Sequence, residues 1–531
     1  MRTPERAVVV PTALAAVGAL AVALSGVRGP DYPAHYLRAE LWRRTGAAIW
    51  NFTWYGGHAT PSYSVLAPPV VAAVGPVMIC VVSATVATFV LALLIAEIAP
   101  EVGWVGRTLS AATFAAGSVV NVVVGRTNFA AGLAVGLLTL LLWRRGYLFT
   151  AVIAALVTPL VSPVVASFTA LLAGAVLLDA LLDRRDDEAI DAGAMLAASV
   201  VPLLVIGALF PDGGQFPFRF GHLVLALVLL GGTALTHRNR VVVIAAAMGA
   251  ASSVVLFVLP NPLGGNFTRF AQYLVVPAIV LGAARQPAPW RHAAGAVALA
   301  GSIWTVQHGF VAEAQWSGDP SIKPAYHQPL IAELLRRNAD GQPVGRVEIP
   351  FTDTHWEAYF VASEVPYARG WERQADLDRN EVLYDPELTP DDYRTWLHAN
   401  GVRWVALPDV DLDEGGQPEA GLIEEGLPWL ERVWSNRHWK LFEVVDYVPL
   451  VDPPAELVRQ DVDTLVLFSE AAGVVTLRYR FSDQLTIDNG ACLRPREDDE
   501  WTEVFLPAAG EYTVTVAAEA LIPGTEPDAC T

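Results

Sequence analysis

The chain is 531 residues long, 53% of its residues are hydrophobic and only 17% are charged, and its mean hydropathy is +0.39. These values exceed those of ordinary soluble domains and predict an integral membrane protein. Residues 1–310 carry 18 Lys and Arg against 12 Asp and Glu, whereas residues 311–531 carry 17 against 42. This division predicts a membrane domain followed by an acidic water-soluble region, and the acidic charge argues against nucleic acid as a partner because like charges repel.

The membrane domain of residues 1–310 is predicted to be polytopic and α-helical, with about eleven spans. A span needs roughly 20 apolar residues, and the apolar runs lie at 7–27, 70–96, 104–124, 128–143, 147–161, 163–183, 192–210, 220–236, 241–259, 270–284 and 292–309. Arginines in the short loops between these runs indicate the cytoplasmic side. The N-terminus is therefore predicted to be cytoplasmic and the region after residue 310 extracytoplasmic, in a multi-pass protein of the cell membrane.

The first predicted external loop, residues 29–58, opens with an acidic residue. It reads GPDYPAHYLRAELWRRTGAAIWNFTWYGGH, in which Asp31 stands between two prolines and precedes a short amphipathic helix with His35 and Glu40. The sequence leaves two interpretations of Asp31 open. It is either the N-cap of that helix or a carboxylate that serves a site at the outer membrane surface.

Three further predicted external segments carry cations on the side where the positive-inside tendency disfavours them. Arg126 lies in GRTNF, Arg219 and His222 lie in FPFRFGH, and Arg269 lies in NPLGGNFTRF. Snorkelling explains any one of these arginines taken alone. Together they indicate a basic site for the phosphate or diphosphate of a lipid, because a guanidinium group binds phosphate through two parallel hydrogen bonds.

The acidic region is predicted to contain two domains. Helix and strand patterns alternate in residues 311–446, which predicts a small α/β domain, and the apolar alternation in residues 447–531 predicts a β-sandwich-like domain. Cys492 and Cys530 share this extracytoplasmic region, where a disulfide between them would persist. Cys80 lies in an apolar run and is expected to pack as a small apolar residue.

Several segments of the chain resemble a known superfamily. The long first external loop that opens with an acid, together with VVVGRTNFAAGLAVGLLTLLLWRRG, LVSPVVASFTALLAGA and LPNPLGGNFTRF, resembles the GT-C superfamily of polytopic membrane glycosyltransferases, within an actinobacterial branch of glycosyltransferase-like membrane proteins. The segment VEIPFTDTHWEAYFVASEVPYARGWERQADL of the acidic region also resembles that branch. GT-C enzymes take sugars from polyprenyl-phosphate donors on the outer face of the membrane.

The resemblance implies roles for the polar residues of the predicted outer face. Asp31 corresponds to the acid that acts as catalytic base or as part of the metal and acceptor site. The candidate substrate-binding residues are His35, Glu40, Arg126, Arg219, His222 and Arg269, among which the arginines would hold the departing lipid phosphate. Many GT-C enzymes have a second acid in the next external loop, but GRTNF has none. A divalent metal is therefore possible with only one well-placed carboxylate, and the cofactor stays unknown.

Two functions remain in competition. The first is a membrane glycosyltransferase that moves a sugar from a polyprenyl-phosphate lipid to an envelope glycan, lipid or protein acceptor on the outer face. The second is a non-catalytic GT-C-like membrane protein that binds or presents envelope lipids or glycans. A secondary transporter is less favoured, because no pair of broken spans occurs in corresponding halves of the sequence. The first two functions differ at Asp31, which an enzyme needs beside the arginines and a scaffold needs only as a helix cap.

Overall fold

The computed structural model describes residues 3–46, 49–211, 213–339, 345–516 and 530. The chain forms two compact units. The helical unit comprises Met1–His35 and Ser62–Ser317, and the β-rich unit comprises Tyr36–Pro61 and Gly318–Thr531. Most of the first loop thus belongs to the same unit as the C-terminal region, which its position between two apolar runs did not indicate. The division into domains at 1–310, 311–446 and 447–531 stays a prediction.

The helical unit is built from long apolar helices. In chain order they are α1 (Thr3–Ser25), α2 (Tyr32–Thr45, which continues into the β-rich unit), α3 (Ala67–Val74), α4 (Pro76–Ile98), α5 (Trp104–Val124), α6 (Thr127–Arg144), α7 (Leu148–Val161), α8 (Pro163–Leu182), α9 (Asp186–Leu209), α10 (Phe220–Thr236), α11 (Arg240–Val258), α12 (Thr268–Phe270), α13 (Val276–Ala284) and α14 (Trp290–Trp316). A 3-10 turn (Gly264–Phe267) precedes α12 and a π-helical segment (Ala271–Val275) follows it, so that Gly264–Ala284 forms one irregular helix.

Every predicted span overlaps helical residues, and the run 70–96 falls across two helices, α3 and α4. Not every helix is long enough to cross a bilayer. Among the described residues, eight helices have the necessary length and apolar composition, namely α1, α4, α5, α6, α8, α9, α11 and Gly264–Ala284. The helices α7 and α10 are apolar but shorter. The count of about eleven spans, and the orientation derived from it, therefore stay predictions.

Aromatic side chains occupy the centre of the helical unit. The rings of Phe129 and Tyr273 lie 5.1 Å apart at 75°, and those of Phe168 and Phe270 lie 5.4 Å apart. The first contact is edge-to-face and the second is tilted, and aromatic contacts of this kind add specific geometry to ordinary apolar packing. The irregular helix Gly264–Ala284 is consequently held against α5, α6 and α8, and it brings its polar side chains close to the ends of these helices.

The β-rich unit contains an α/β layer. Its four-stranded sheet has the order β3 (Arg346–Glu348), β4 (Val402–Pro408), β6 (Trp439–Val444) and β5 (Leu430–Ser435). The pair β3 and β4 is parallel, and the other two pairs are antiparallel. The helices of this layer are α15 (Pro324–Ala339), α16 (Glu357–Phe360), α17 (Arg373–Arg379), α18 (Pro390–Ala399) and α19 (Gln417–Glu425). These helices and strands form the α/β layer of the β-rich unit, and a separate α/β domain at residues 311–446 stays a prediction.

The remainder of the β-rich unit is antiparallel sheet. One sheet has the order β10 (Leu485–Ile487), β13 (Gly510–Val516), β8 (Thr464–Ser469) and β7 (Ala455–Gln460), and another has the order β11 (Cys492–Pro495), β12 (Trp501–Leu506) and β9 (Gly473–Arg480). In β9 the side chains of Val475, Leu477 and Tyr479 are buried and alternate with more exposed residues, as a strand with one covered face requires. A disulfide joins Cys492 to Cys530. The first loop adds the short strands β1 (Trp50–Asn51) and β2 (His58–Ala59).

Candidate functional site

Asp31 is held in place by the end of α5. The backbone N–H of Gly29 donates to the carbonyl oxygen of Val123 at 3.1 Å, and that of Asp31 donates to Val124 at 3.1 Å. The buried hydroxyl of Tyr32 donates to the carbonyl oxygen of Val122 at 2.7 Å. The last carbonyl groups of a helix have no partner within the helix, so the segment after α1 satisfies these acceptors and is fixed by them.

Two glycines allow this close approach of backbone to backbone. A Cβ atom at Gly29 would lie 2.5 Å from the carbonyl oxygen of Val123. Gly125 ends α5 with a φ of 94°, and a Cβ atom there would lie 2.7 Å from the backbone nitrogen of Tyr32. Only glycine accepts both the positive φ and the short separation. Arg126 follows Gly125 directly, and the same junction therefore brings it to the segment that carries Asp31.

The irregular helix contributes a third charged residue, Arg269, to the region of Asp31 and Arg126. The charges of Arg126 and Asp31 both act on the half-buried guanidinium group of Arg269, which also lies 5.0 Å from the ring centroid of Phe129. The cluster of Asp31, Arg126 and Arg269, here named the Asp31 cluster, contains two cations and one anion. Its net positive charge and the adjacent N-terminus of α6 favour an anionic ligand.

Tyr273 organises the inner side of the Asp31 cluster. Its hydroxyl donates to Asn121 Oδ1 at 2.7 Å and lies 2.9 Å from the carbonyl oxygen of Gly117. Arg126 interacts with the same hydroxyl. Because Tyr273 is buried on the irregular helix and Asn121 is buried on α5, this contact fixes the two helices at the level of the cluster.

Several buried polar atoms at this level have no protein partner among the described residues. They are both amide atoms of the Asn128 side chain, Nδ2 of Asn121 and Nε of Arg126. Buried polar groups are almost always hydrogen-bonded in native proteins, to protein, to water or to a ligand. The unsatisfied groups next to the Asp31 cluster are therefore available to a polar ligand.

His35 also lies near the cluster. It is buried one turn after Asp31 on α2, and its ring centroid is 6.1 Å from that of Tyr63. Tyr63 is in turn among the groups that act on Arg269. Four of the residues singled out in the sequence, Asp31, His35, Arg126 and Arg269, therefore share one region of the helical unit.

The remaining candidates occupy other environments. Glu40 lies in the β-rich unit and pairs with Arg43 at 3.2 Å and with Arg44 at 3.0 Å on the surface of α2. Arg219 is exposed at the start of α10. His222 packs against Trp304 with ring centroids 5.6 Å apart, and Arg219 is its charged neighbour.

A divalent metal is poorly provided for at the Asp31 cluster. Among the residues that the structure describes, no group of three or more His, Cys, Asp or Glu side chains could hold a metal ion. The cluster offers the carboxylate of Asp31 beside two guanidinium groups, whereas Mg²⁺ and Mn²⁺ take oxygen ligands and are repelled by neighbouring cations. The donor set does not fit such a metal.

Two further groups of buried charges lie in the β-rich unit. One joins Arg38 of α2 to Glu372, and both side chains are buried. This pair gives Arg38, an arginine of the first loop, a structural role. Because Arg38 and Glu372 lie 334 positions apart in the sequence, no local sequence pattern indicated their contact.

The second group centres on Arg369. Its guanidinium group donates to both carboxylate oxygens of Asp376, to the carbonyl oxygen of Gly415 at 2.8 Å and to Glu419 at 3.1 Å. All the side chains of this ionic core are completely buried, and burial raises the pKa of Glu419 to about 7. Both oxygens of the nearby Glu348 have no hydrogen-bond partner among the described residues, and burial, together with the charge of Glu419, raises the pKa of that carboxyl well above its usual range.

Glu357 lies near the same core at the start of α16. Its carboxyl group accepts the backbone N–H of Thr352 at 3.1 Å and the hydroxyl of Thr352 at 2.6 Å. Burial raises the pKa of Glu357 to about 8, so the group is mainly protonated at neutral pH. The neighbouring His355 stacks on Trp371 at 3.3 Å, and burial lowers the pKa of this histidine to about 4. Glu357 and His355 are thus mainly uncharged at neutral pH, as expected of titratable groups buried in a structural element.

Comparison with known proteins gives a limited result. No family model and no curated protein sequence matches the chain. Among solved structures, the chain is similar to the oligosaccharyltransferase of Archaeoglobus fulgidus, crystallised with a tethered acceptor peptide containing the NVT sequon. The identity is 12% and the TM-score 0.39, over 84% of this chain and 75% of the other. A similarity of this extent assigns no residue role and no substrate.

Proposed function

We propose that this protein is a membrane glycosyltransferase that transfers a sugar from a polyprenyl-phosphate donor to an envelope glycan, lipid or protein acceptor on the outer face of the membrane. The observation that carries the proposal is the position of Asp31, whose charge acts on Arg269 together with that of Arg126. This arrangement offers one proton acceptor and two phosphate-binding groups in one place. The resemblance of the loop and helix segments to GT-C enzymes supports the same reaction.

The proposed reaction is a substitution at the anomeric carbon of the donor. The acceptor hydroxyl oxygen forms a bond to that carbon while the bond from the carbon to the phosphate oxygen breaks. Asp31 accepts the proton of the attacking hydroxyl. The polyprenyl phosphate leaves with the bonding electron pair, and Arg126 and Arg269 stabilise the negative charge that develops on it. Each role uses a group of the protein, and no step requires a metal.

The neighbouring residues support these roles in the proposal. Tyr273 and Asn121 hold Arg126 at a fixed position, which reduces the reorganisation needed when the leaving group becomes charged. The unpartnered side-chain amide of Asn128 is available to a hydroxyl of the sugar or of the acceptor. The ring of His35 lies beside that of Tyr63. In the proposal, His35 is a candidate residue for contact with the acceptor substrate.

A non-catalytic function has one specific observation in its favour. Asp31 stands directly before the first residue of α2, where an aspartate is a good N-cap. A protein that only binds a lipid phosphate needs the two arginines and would keep Asp31 for the helix. The two functions therefore differ in what the loss of the Asp31 charge does to turnover.

The test is sugar transfer by the purified full-length protein from a panel of polyprenyl-phosphate sugars. Asp31→Asn keeps the size and the capping ability of the side chain but cannot accept the proton, and we expect kcat to fall by about a hundredfold or more. Arg269→Gln is expected to raise the donor KM and to lower kcat. The matched control is Glu97→Gln, which removes a carboxylate from an exposed pair with Arg145 and should leave transfer unchanged.

Two outcomes would contradict the enzyme proposal. The first is transfer by Asp31→Asn at the wild-type rate, which would show that the carboxylate is not the base. The second is binding of the polyprenyl-phosphate lipid by the wild-type protein without transfer from any donor in the panel. That second result would support the binding function, in which Asp31 is only the cap of α2.

A further inference from the structure

A cavity lies in the helical unit, bounded by α5, α13 and α14. Its volume is about 890 Å³. The part along α5 is lined by Val105 and Leu109, with Val102 just before the helix, and the opposite wall includes Ala298 and Leu299 of α14. These side chains make the greater part of the cavity apolar. The Asp31 cluster contributes no residue to it.

The cavity is a groove at the surface of the unit. Val105, Leu109 and Leu299 are 51%, 56% and 62% exposed, which places apolar side chains on the outside of a helix bundle whose composition is that of a membrane protein. The lining of α14 extends from Arg291 to Ser302. At about 1.5 Å per residue this is roughly 16 Å, close to half of a hydrocarbon core of roughly 30 Å. The groove therefore has the length of one leaflet.

One end of the groove is charged. Arg285 and Arg291 line this end together with Glu101, and Arg285 Nε donates to Glu101 Oε1 at 2.8 Å. Arg291 is exposed, and Nε donates to the carbonyl oxygen of Gln286 at 3.0 Å. Among the lining residues, Glu101 offsets one of the two arginines, and the charge of Arg107 also acts on Glu101, so this end carries a net positive charge. This charge lies at the predicted cytoplasmic ends of the helices.

Aromatic residues indicate the depth of this end in the bilayer. Trp104 begins α5 and Trp290 begins α14, and both side chains are exposed. Exposed tryptophans at the ends of apolar helices favour the headgroup level of a membrane. The arginines of the groove are then at phosphate height, while the apolar walls continue towards the middle of the bilayer.

We infer that this groove is a binding site for an anionic phospholipid, with an acyl chain along α5 and α14 and the headgroup phosphate at Arg291. The length of the groove, its apolar walls and the excess of arginine at one end match the length, apolar chain and charged head of such a lipid. Basic pockets between membrane helices on the cytoplasmic side commonly bind anionic headgroups. The inference does not depend on the proposed transferase activity.

Gly295 provides a specific way to fill the groove. It lines the cavity on α14, and no atom lies within 4 Å of the position that a Cβ atom would take. Gly295→Leu should therefore occupy the space of the acyl chain without a clash, and leucine is a better helix former than glycine. The matched control is Gly193→Leu on α9, where a Cβ atom would also meet nothing within 4 Å.

The experiment is native mass spectrometry of the purified full-length protein, titrated with phosphatidylglycerol or with phosphatidylcholine of the same acyl chains. We expect the wild type and Gly193→Leu to retain more phosphatidylglycerol than phosphatidylcholine. Gly295→Leu should retain less of both lipids than the wild type does. Arg291→Gln should reduce the preference for phosphatidylglycerol about fivefold, the effect of one arginine near an anionic headgroup. Its control is Arg144→Gln, an exposed arginine at the end of α6.

Either of two results would overturn the inference. One is equal retention of phosphatidylglycerol by Gly295→Leu and Gly193→Leu, which would mean that the groove holds no lipid. The other is an unchanged lipid preference in Arg291→Gln, a surface substitution that leaves the fold intact. The same samples can be assayed for sugar transfer, and a loss of transfer with normal lipid retention would concern only the proposed function.

Discussion

Glu357 gives the structure a pH dependence that can be calculated. In the folded protein its buried carboxyl group has a pKa of about 8, compared with the ordinary value of 4.5. Between these values the folded state keeps a proton that the unfolded state has lost, and rising pH therefore favours unfolding. For a single group with these two pKa values, the free energy of unfolding falls by about 2 kcal/mol between pH 6 and pH 8.

The substitution Glu357→Gln removes this titration. Glutamine has the same shape, accepts the backbone N–H of Thr352 and donates to the hydroxyl of Thr352, so both contacts of the carboxyl group are kept. We therefore expect the variant to gain about 2 kcal/mol relative to the wild type as the pH rises from 6 to 8. Other groups titrate in both proteins, and their effects largely cancel in the comparison.

The assay is hydrogen–deuterium exchange of the detergent-solubilised full-length protein, read from peptides that cover β3 and α16. Comparing the two proteins at one pH cancels the intrinsic exchange rate, and the ratio of their protection factors gives the difference in opening free energy directly. A difference that stays the same at pH 6, 7 and 8 would refute the reasoning. It would mean that Glu357 titrates in the folded protein at the same pH as in the unfolded chain.

Three further substitutions test the packing described above. Gly29→Ala should displace the segment that carries Asp31 and abolish sugar transfer, because the added Cβ would lie 2.5 Å from a carbonyl oxygen of α5; transfer at the wild-type rate would contradict this. Tyr32→Phe should lower the free energy of unfolding by about 1–3 kcal/mol, because the carbonyl oxygen of Val122 loses a buried partner, and thermal unfolding in detergent measures the change. Arg369→Met should cost about 3–5 kcal/mol by leaving buried carboxylates uncompensated, and urea unfolding that matches the wild type would show that the ionic core is dispensable.

The membrane helices could be predicted because their signal is local. An apolar run such as 104–124 must form its backbone hydrogen bonds within itself in lipid, and α5 occupies the same residues. The alternation of strands after residue 447 is local in the same sense. Length was harder to judge, since α7 and α10 have the composition of spans but fewer residues.

The contacts that build the Asp31 cluster could be predicted only in part. The sequence pointed to Asp31, Arg126 and Arg269 as charges on one side of a membrane, where an ionisable residue usually has a function. It did not indicate Tyr273 or Asn121, because a tyrosine or an asparagine in an apolar helix has several ordinary explanations. Gly29 was equally inconspicuous, and its importance follows from the carbonyl oxygens of α5 that lie against it.

The buried charges of the β-rich unit could not be predicted from local sequence patterns, for a related reason. The segment ARGWERQAD looks like a solvated surface, yet Arg369, Glu372 and Asp376 within it are buried. Their partners come from distant parts of the chain, such as Arg38 of the first loop and Glu419 of α19. A charge is recognisable as buried only when the opposite charge has been placed beside it, and sequence spacing does not provide that information.

The ionic core around Arg369 and the Asp31 cluster differ in how their charge is balanced, and this difference favours the Asp31 cluster as the functional site. In the ionic core, carboxyl groups outnumber the guanidinium group of Arg369, but the raised pKa values of Glu419 and Glu348 leave protons on part of them at neutral pH. Protonation therefore completes the balance from within the protein. An arginine keeps its proton at neutral pH, so the excess of Arg126 and Arg269 over Asp31 favours an anionic ligand at the cluster. In the proposed reaction that anion is the lipid phosphate, and a fixed pair of guanidinium groups suits the stabilisation of its charge as it leaves.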